Sequence, residues 1–271
     1  MHIFDFHTHA FVDSLASRAI AGLEETSGIS PSTDGTVAGL RRLLSDTGIS
    51  SSMLLPVATK PSQQTTINNW AASIMGGGLY ACGTVHPDAD DAVAEVERIA
   101  PLGLYGVKFH SEYQHFRPNE ERMMPVYRKA QELGLFVVFH GGWDPFGGSE
   151  ILATPRSFAD LAEKLPDLTI IAAHMGGIKL YDQVEDCLAG RFPNLYMDTG
   201  VVADYISDEQ LMRIISLQGA DKVLYGSDAP WDYPQREIDM LRRLPLDQHQ
   251  LDLIFHLNAE KLVSRRNSNF N

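Results

Sequence analysis

The feature that most constrains this chain is a rhythm of short apolar runs. Eight of them recur, most about 25–33 residues apart, each followed by a polar or Gly/Pro-rich turn and then a helical pattern. They predict strands at Ile3–Phe6, Ser52–Val57, Tyr80–Val85, Tyr105–Phe109, Phe136–Phe139, Thr169–Ala173, Leu195–Asp198 and Val223–Tyr225. Helical periodicity between them includes Val37–Asp46, Asp90–Ile99, Glu120–Glu132, Pro155–Leu165, Leu180–Leu188, Asp208–Gln218 and Gln235–Arg243. Two of these carry clear start signals, Thr154 ahead of Pro155 and Ser207 ahead of Asp208 and Glu209. Strands alternating with helices make parallel βαβ units, and a count of eight favours a closed (β/α)8 TIM barrel over an open sheet. Asp247–Val263 reads as an extra C-terminal helix closing the bottom or side, and Ser264–Asn271 as a frayed tail. No linker or low-complexity tract divides the chain, and 271 residues suit one barrel domain of about 250.

Barrel enzymes carry their chemistry at the carboxyl ends of the strands, and that is where this chain concentrates its histidines. Asp5–His9 reads D-F-H-T-H. With a side-chain period of two, Ile3, Asp5, His7 and His9 would face the barrel axis while Phe4 and Phe6 pack outward under the helices. Two imidazoles on one face can reach one ion, and Asp5, one layer deeper, could hold a ligand ring or a backbone group. His140 and His174 each follow an apolar run directly, Asp228 lies three residues past another, and His86 and His110 occupy matching strand ends. Imidazoles with a carboxylate suit zinc first, with manganese, iron or cobalt as alternatives. An open coordination position would lower the pKa of a bound water toward about 7. Asp228 could touch the metal and accept that water's proton, and His174 is either a further ligand or a general acid/base.

Lys108 within an apolar run reads as an anchor for a substrate carboxylate or carbonyl, beside His110. The stretches Ser111–Asn119 and Gly141–Thr154 mix aromatics with polar groups, as pocket rims do. Trp143, Phe146 and Trp231 are candidate cavity walls, and Asp198 and Thr199 either add polar contacts or cap a turn.

Composition excludes several other classes. A net charge of −13 argues against nucleic acid, whose phosphates need a basic surface, while leaving a small anionic substrate open. No apolar run approaches the roughly 18–20 residues that span a bilayer, and the first residues lack the plan of a secretory leader. Cys82 and Cys187 cannot make a disulfide framework and read as free buried thiols in a reducing, cytoplasmic setting.

Taken in order, several motifs resemble the amidohydrolase superfamily. They are D-F-H-T-H, G-V-K-F-H (Gly106–His110), V-F-H-G-G (Val138–Gly142), A-H-M-G-G (Ala173–Gly177), Y-G-S-D-A-P (Tyr225–Pro230) and the closing N-A-E-K-L (Asn258–Leu262). The branch they resemble contains aminocarboxymuconate-semialdehyde decarboxylase and many uncharacterised hydrolases. The resemblance implies a (β/α)8 barrel and one or two divalent metals. It makes His7 and His9 first-strand ligands, His140 the fifth-strand ligand and Asp228 the eighth-strand ligand. His174 becomes the sixth-strand histidine, catalytic in one-metal members and a ligand in two-metal members. Two-metal relatives bridge their ions with a carbamylated lysine or a glutamate from the fourth strand, and Lys108 and Glu112 are both candidates here. A homodimer is common among such relatives, although the sequence marks no interface. The expected function is metal-assisted hydrolysis of a small-molecule amide, ester or lactone. The alternatives are a non-oxidative decarboxylase or hydratase of a small carboxylic acid, and a non-catalytic metal-binding barrel.

Overall fold

The computed structural model describes residues 2–145 and 147–268. Its wall is built from parallel strands β1 (Phe4–Thr8), β2 (Ser51–Leu54), β3 (Leu79–Ala81), β4 (Gly83–Thr84), β5 (Gly106–Phe109), β6 (Phe136–Phe139), β7 (Ile170–Ala172), β8 (Leu195–Asp198) and β9 (Val223–Leu224). β3 and β4 are halves of one predicted strand, parted at Cys82, whose N–H still donates to Leu54 O at 2.9 Å. The ring closes where Phe6 N–H donates to Tyr225 O and Asp228 N–H donates to His7 O, both at 2.8 Å. The fold is therefore the expected eight-stranded barrel.

Around it run α1 (Asp13–Ser27), α2 (Val37–Asp46), α3 (Gln64–Ser73), α4 (Ala92–Ile99), α5 (Ser111–Gln114), α6 (Met124–Glu132), α7 (Pro155–Lys164), α8 (Tyr181–Cys187), α9 (Asp208–Gln218) and α10 (Pro234–Arg243). Thr154 and Ser207 cap α7 and α9 as their sequences predict, each side chain accepting a backbone N–H. α1 and α3, which the periodicity did not single out, begin without a side-chain cap of their own, and α3 is led in by the 3-10 turn Pro61–Gln63, where Gln63 Oε1 accepts from the N–H groups of Thr59 and Lys60. α5 replaces part of the predicted rim loop. The C-terminal segment runs as α11 (Gln248–Asp252), a π-helical turn at Leu253–Leu257 and α12 (Asn258–Ser268). Ser264–Ser268, expected to fray, are thus helical, and the last three residues of that tail lie outside the described region, as does Phe146. Cys187 is only partly buried, unlike Cys82. Among the described residues no helix is long and apolar enough to cross a membrane.

The first strand corrects the period-two expectation. Phe4 and Phe6 do not pack outward; they share a buried cluster with Met53, Phe136, Val138 and Leu224. The Phe6 ring lies 5.5 Å from that of Phe136, on a strand across the barrel, so the contact runs through the interior. A register shift between Asp5 and Thr8 reconciles this with an inward His7. One extra residue there breaks the alternation, so Phe6 fills the core and His7 still turns toward the cavity. Below the phenyl rings, Ala259, Leu262 and Val263 of α12 join the same cluster and plug the barrel floor.

Asn258 ties this plug to the wall, its Nδ2 donating to Val223 O at 2.7 Å and to Ala220 O at 2.8 Å. Asn258→Ala should destabilise the fold by about 1–3 kcal/mol, because buried carbonyls would be left unpaired. Thermal unfolding measures this, and an unchanged melting temperature would mean that the apolar face of α12 holds the plug unaided.

Candidate metal centre

β1 delivers His7 and, just past its end, His9; the turn after β9 delivers Asp228. Their atoms converge on one point. Asp228 Oδ1 lies 3.2 Å from His7 Nε2 and 3.0 Å from His9 Nε2. Ligands of a tetrahedral zinc at about 2.0–2.1 Å sit roughly 3.3–3.4 Å apart, so these separations match the edges of such a site.

The opposite ring nitrogens are all engaged. His7 Nδ1 bonds Asp198 Oδ2 at 2.9 Å, His9 Nδ1 bonds Leu55 O at 2.8 Å, and His174 Nδ1 bonds Gly200 O at 2.7 Å. A carbonyl or carboxylate oxygen can only accept, so each Nδ1 carries a hydrogen, and in the neutral ring Nε2 is then the nitrogen with a lone pair to offer an ion. This is how proteins orient imidazoles toward a metal, and the donor set fits a borderline divalent ion. The same logic extends one ring further. His174 Nε2 accepts from His140 Nδ1 at 3.0 Å, which leaves His140 Nε2 as a buried lone pair with no partner.

Charge follows geometry. Burial alone would raise the Asp228 carboxyl, but His7, His9 and His174 hold it far below the usual carboxylate range. Asp198 is likewise held low against its burial by His7 and His174. Burial and the nearby Lys108 push His7 down to about 4, so its ring is neutral, as a ligand must be. Lys108 is 1% exposed, donates to His7 Nε2 at 3.3 Å, and is lowered by burial. Asp5 accepts from Ser227 Oγ at 2.6 Å and from Ser227 and His7 N–H, and burial raises it to about 7.

Close approach and backbone strain mark the same rim. A Cβ on Gly226 would meet His7 Cβ at 2.8 Å. His174, Val201 and Asp228 hold positive φ of 57°, 53° and 64°, a region that costs roughly 1–3 kcal/mol for residues with side chains.

The remaining predicted residues divide. His110 stacks between Tyr113 at 3.6 Å and His140 at 4.3 Å, with Nε2 3.5 Å from Asp144 Oδ2. His110, His140 and Asp144 form a group of their own, so His140 is not part of the tight His7–His9–Asp228 trio. Glu112, expected at a metal, turns away because α5 carries it toward the following loop. Its Oε1 accepts from the N–H groups of Leu152 and Ala153, and Oε2 lies 3.7 Å from His110 Nδ1. His86 does not line the cavity; its Nδ1 accepts from Asp88 N–H in a local turn. Trp143 and Trp231 both do, in a cavity of about 390 Å³ whose outer wall adds Phe11, Leu15, Ile67 and Trp70 from the α1 and α3 side. Sequence reasoning missed Asp144 and that apolar wall. It left Asp198 undecided, although its place at the end of an apolar run was the available signal.

The amidohydrolase family model matches residues 4–265. The chain belongs to the amidohydrolase family, whose members are enzymes. No curated protein matches it. Among solved structures, an uncharacterised TIM-barrel protein from Bordetella bronchiseptica is similar at 19% identity, covering 98% of this chain and 100% of that one, with a TM-score of 0.81. A 5-carboxyvanillate decarboxylase from Novosphingobium aromaticivorans, with bound manganese and 3-methoxy-4-hydroxy-5-nitrobenzoic acid, is 17% identical over 97% and 96% of the two chains, TM-score 0.69. A probable 2-pyrone-4,6-dicarboxylic acid hydrolase from Acinetobacter baumannii is 17% identical over 97% and 100%, TM-score 0.68. At these identities the likeness concerns the fold.

Asp198 is the sharpest test of the geometry, since Oδ1 accepts from His174 N–H and Gly200 N–H while Oδ2 accepts from His7. An amide cannot serve both sides, so Asp198→Asn should weaken metal binding about 10–100-fold in a chelator-competition titration. An unchanged affinity would mean that His7 needs no such anchor. Gly226→Ala should displace His7, lowering both melting temperature and metal content.

Proposed function

We propose that this amidohydrolase-family protein is a metal-dependent hydrolase acting on a small-molecule amide, ester or lactone. The observation that carries the reading is the pair of Nε2 atoms, from His7 and His9, trained on one oxygen of Asp228. We assign the ion to His7, His9 and Asp228, with His140, whose unpartnered Nε2 belongs to the neighbouring group with His110 and Asp144, as a further ligand, and with zinc first among zinc, manganese, iron and cobalt. When bound, such an ion polarises a carbonyl and makes water a nucleophile near neutral pH.

The chain's own groups do the rest. Asp228, ionised by its histidine neighbours, accepts a proton at its carboxylate. His174, held by Gly200 O at Nδ1 and paired with His140 at Nε2, lines the cavity as the group that carries a proton to or from the reacting bond, exchanging its bond to His140 as it does so. Lys108 binds a substrate carboxylate or carbonyl on the floor, beside His110. Trp143 and Trp231 wall the cavity and exclude water. Free Cys82 and Cys187 suit a reducing compartment, and we place the enzyme in the cytoplasm.

Decarboxylation of a small carboxylic acid is the second reading, favoured by the buried Lys108 ammonium as a carboxylate anchor close to the metal ligands. Parallel assays separate the two: acidification from ester and lactone panels supports hydrolysis, and carbon dioxide release from aromatic acids supports the alternative. With either activity in hand, His174→Ala should lower turnover about 10²–10⁴-fold while keeping its metal. Unchanged turnover would remove His174 from the proton-transfer role.

A further inference from the structure

A second set of metal donors lies on the barrel floor, away from the cavity. His2 Nε2 and His256 Nδ1 both face Glu260 Oε1, at 3.0 Å and 3.2 Å. Their rings stand 5.0 Å apart at 87°, so the two in-plane lone pairs can meet on one ion instead of pointing in parallel. One donor atom from each of the three residues lies within 4.8 Å of the other two. The candidate metal centre repeats this arrangement closely: two imidazoles on one carboxylate oxygen at 3.0 and 3.2 Å, rings 5.1 Å apart at 62°.

The backbone supplies an independent observation. His256 sits in the π-helical turn Leu253–Leu257, and Glu260 follows one turn later in α12. A π-turn is a rare widening of a helix, found frequently at functional sites. Here it belongs to the segment that carries His256 toward His2, just ahead of β1.

We propose that His2, His256 and Glu260 form a second, structural site for a borderline divalent cation of the zinc or cobalt class. Two imidazoles with one carboxylate select such ions over calcium or magnesium. Solvent completes the coordination, since His2 and Glu260 are both partly exposed. The ion would staple the segment entering β1 to the helix that plugs the barrel beneath Phe4, and so bind folded chain in preference to unfolded chain. The proposal stands apart from the reading of the cavity.

The test uses untagged full-length protein stripped with a chelator and dialysed against Zn²⁺ alone, with metal counted per chain and melting temperature recorded. Wild type should take up two equivalents, and His256→Ala, Glu260→Gln and His2→Ala should each take up one. The His2→Ala variant leaves the π-turn and α12 unaltered, so its loss reports ligation and not a broken helix. Asp228→Asn should also fall to one, by losing the other ion. The Zn²⁺-dependent rise in melting temperature should shrink in the three floor variants. A wild-type count of one that is lost in Asp228→Asn and kept in the floor variants overturns this site and leaves the cavity centre standing. A count of one lost in the floor variants and kept in Asp228→Asn supports this site and overturns the centre. No uptake at all overturns both.

Discussion

The hydrogen bond between His7 Nδ1 and Asp198 Oδ2 joins β1 to β8 and decides which nitrogen of His7 meets the cavity. Much of the rim is arranged around it. The register shift in β1 brings His7 inward beside Phe6, and Gly226 stays small because a side chain there would collide with His7. Asp198 also receives the N–H groups of His174 and Gly200, and Gly200 O in turn receives His174 Nδ1. One buried carboxylate thus sets the orientation of two imidazoles that sit on different strands. Buried and charged, it is stable only because positive or hydrogen-donating groups surround it.

Much of this was legible in the sequence. A buried parallel strand must be apolar throughout, so the eight runs stand out, and a histidine at the end of a run can only be at the rim. That logic put His7, His140 and His174 at strand ends that line the cavity, and His86 at one that does not. The facing of β1 was not legible, because a bulge leaves no mark on a period-two pattern; His7 was placed inward by reasoning that would have put Phe4 and Phe6 outside. α1 and α3 were not among the helices read from the sequence, which hid the apolar wall on their side of the cavity. Asp144 sits in a long loop, where spacing carries no directional information, and only the fold brings it to His110. Glu112 was a candidate bridging ligand because the resembled family takes a lysine or glutamate from the fourth strand, and one turn of α5 sends it elsewhere.

Strain and rigidity belong together here. His174, Val201 and Asp228 hold backbone conformations that an isolated peptide would avoid. They persist because the closed barrel and its packed interior over-determine the positions of the strand ends. A floor plugged by α12 and an interior filled with phenyl rings provide the stiffness against which the rim can be held out of its relaxed state.

The outer wall contributed by Phe11, Leu15, Ile67 and Trp70 is drawn from a different stretch of chain than Lys108, His110, His140 and His174. Leu15 is 44% exposed, so its side chain borders water as well as the cavity. None of the residues in that wall donates a hydrogen bond to a candidate metal ligand, and apolar exchanges of similar volume there would carry little folding cost. The chain therefore separates the part that reacts from the part that fits. Descendants of this sequence could change what the cavity admits through a handful of changes in and around α1 and α3, with the rim constellation inherited intact.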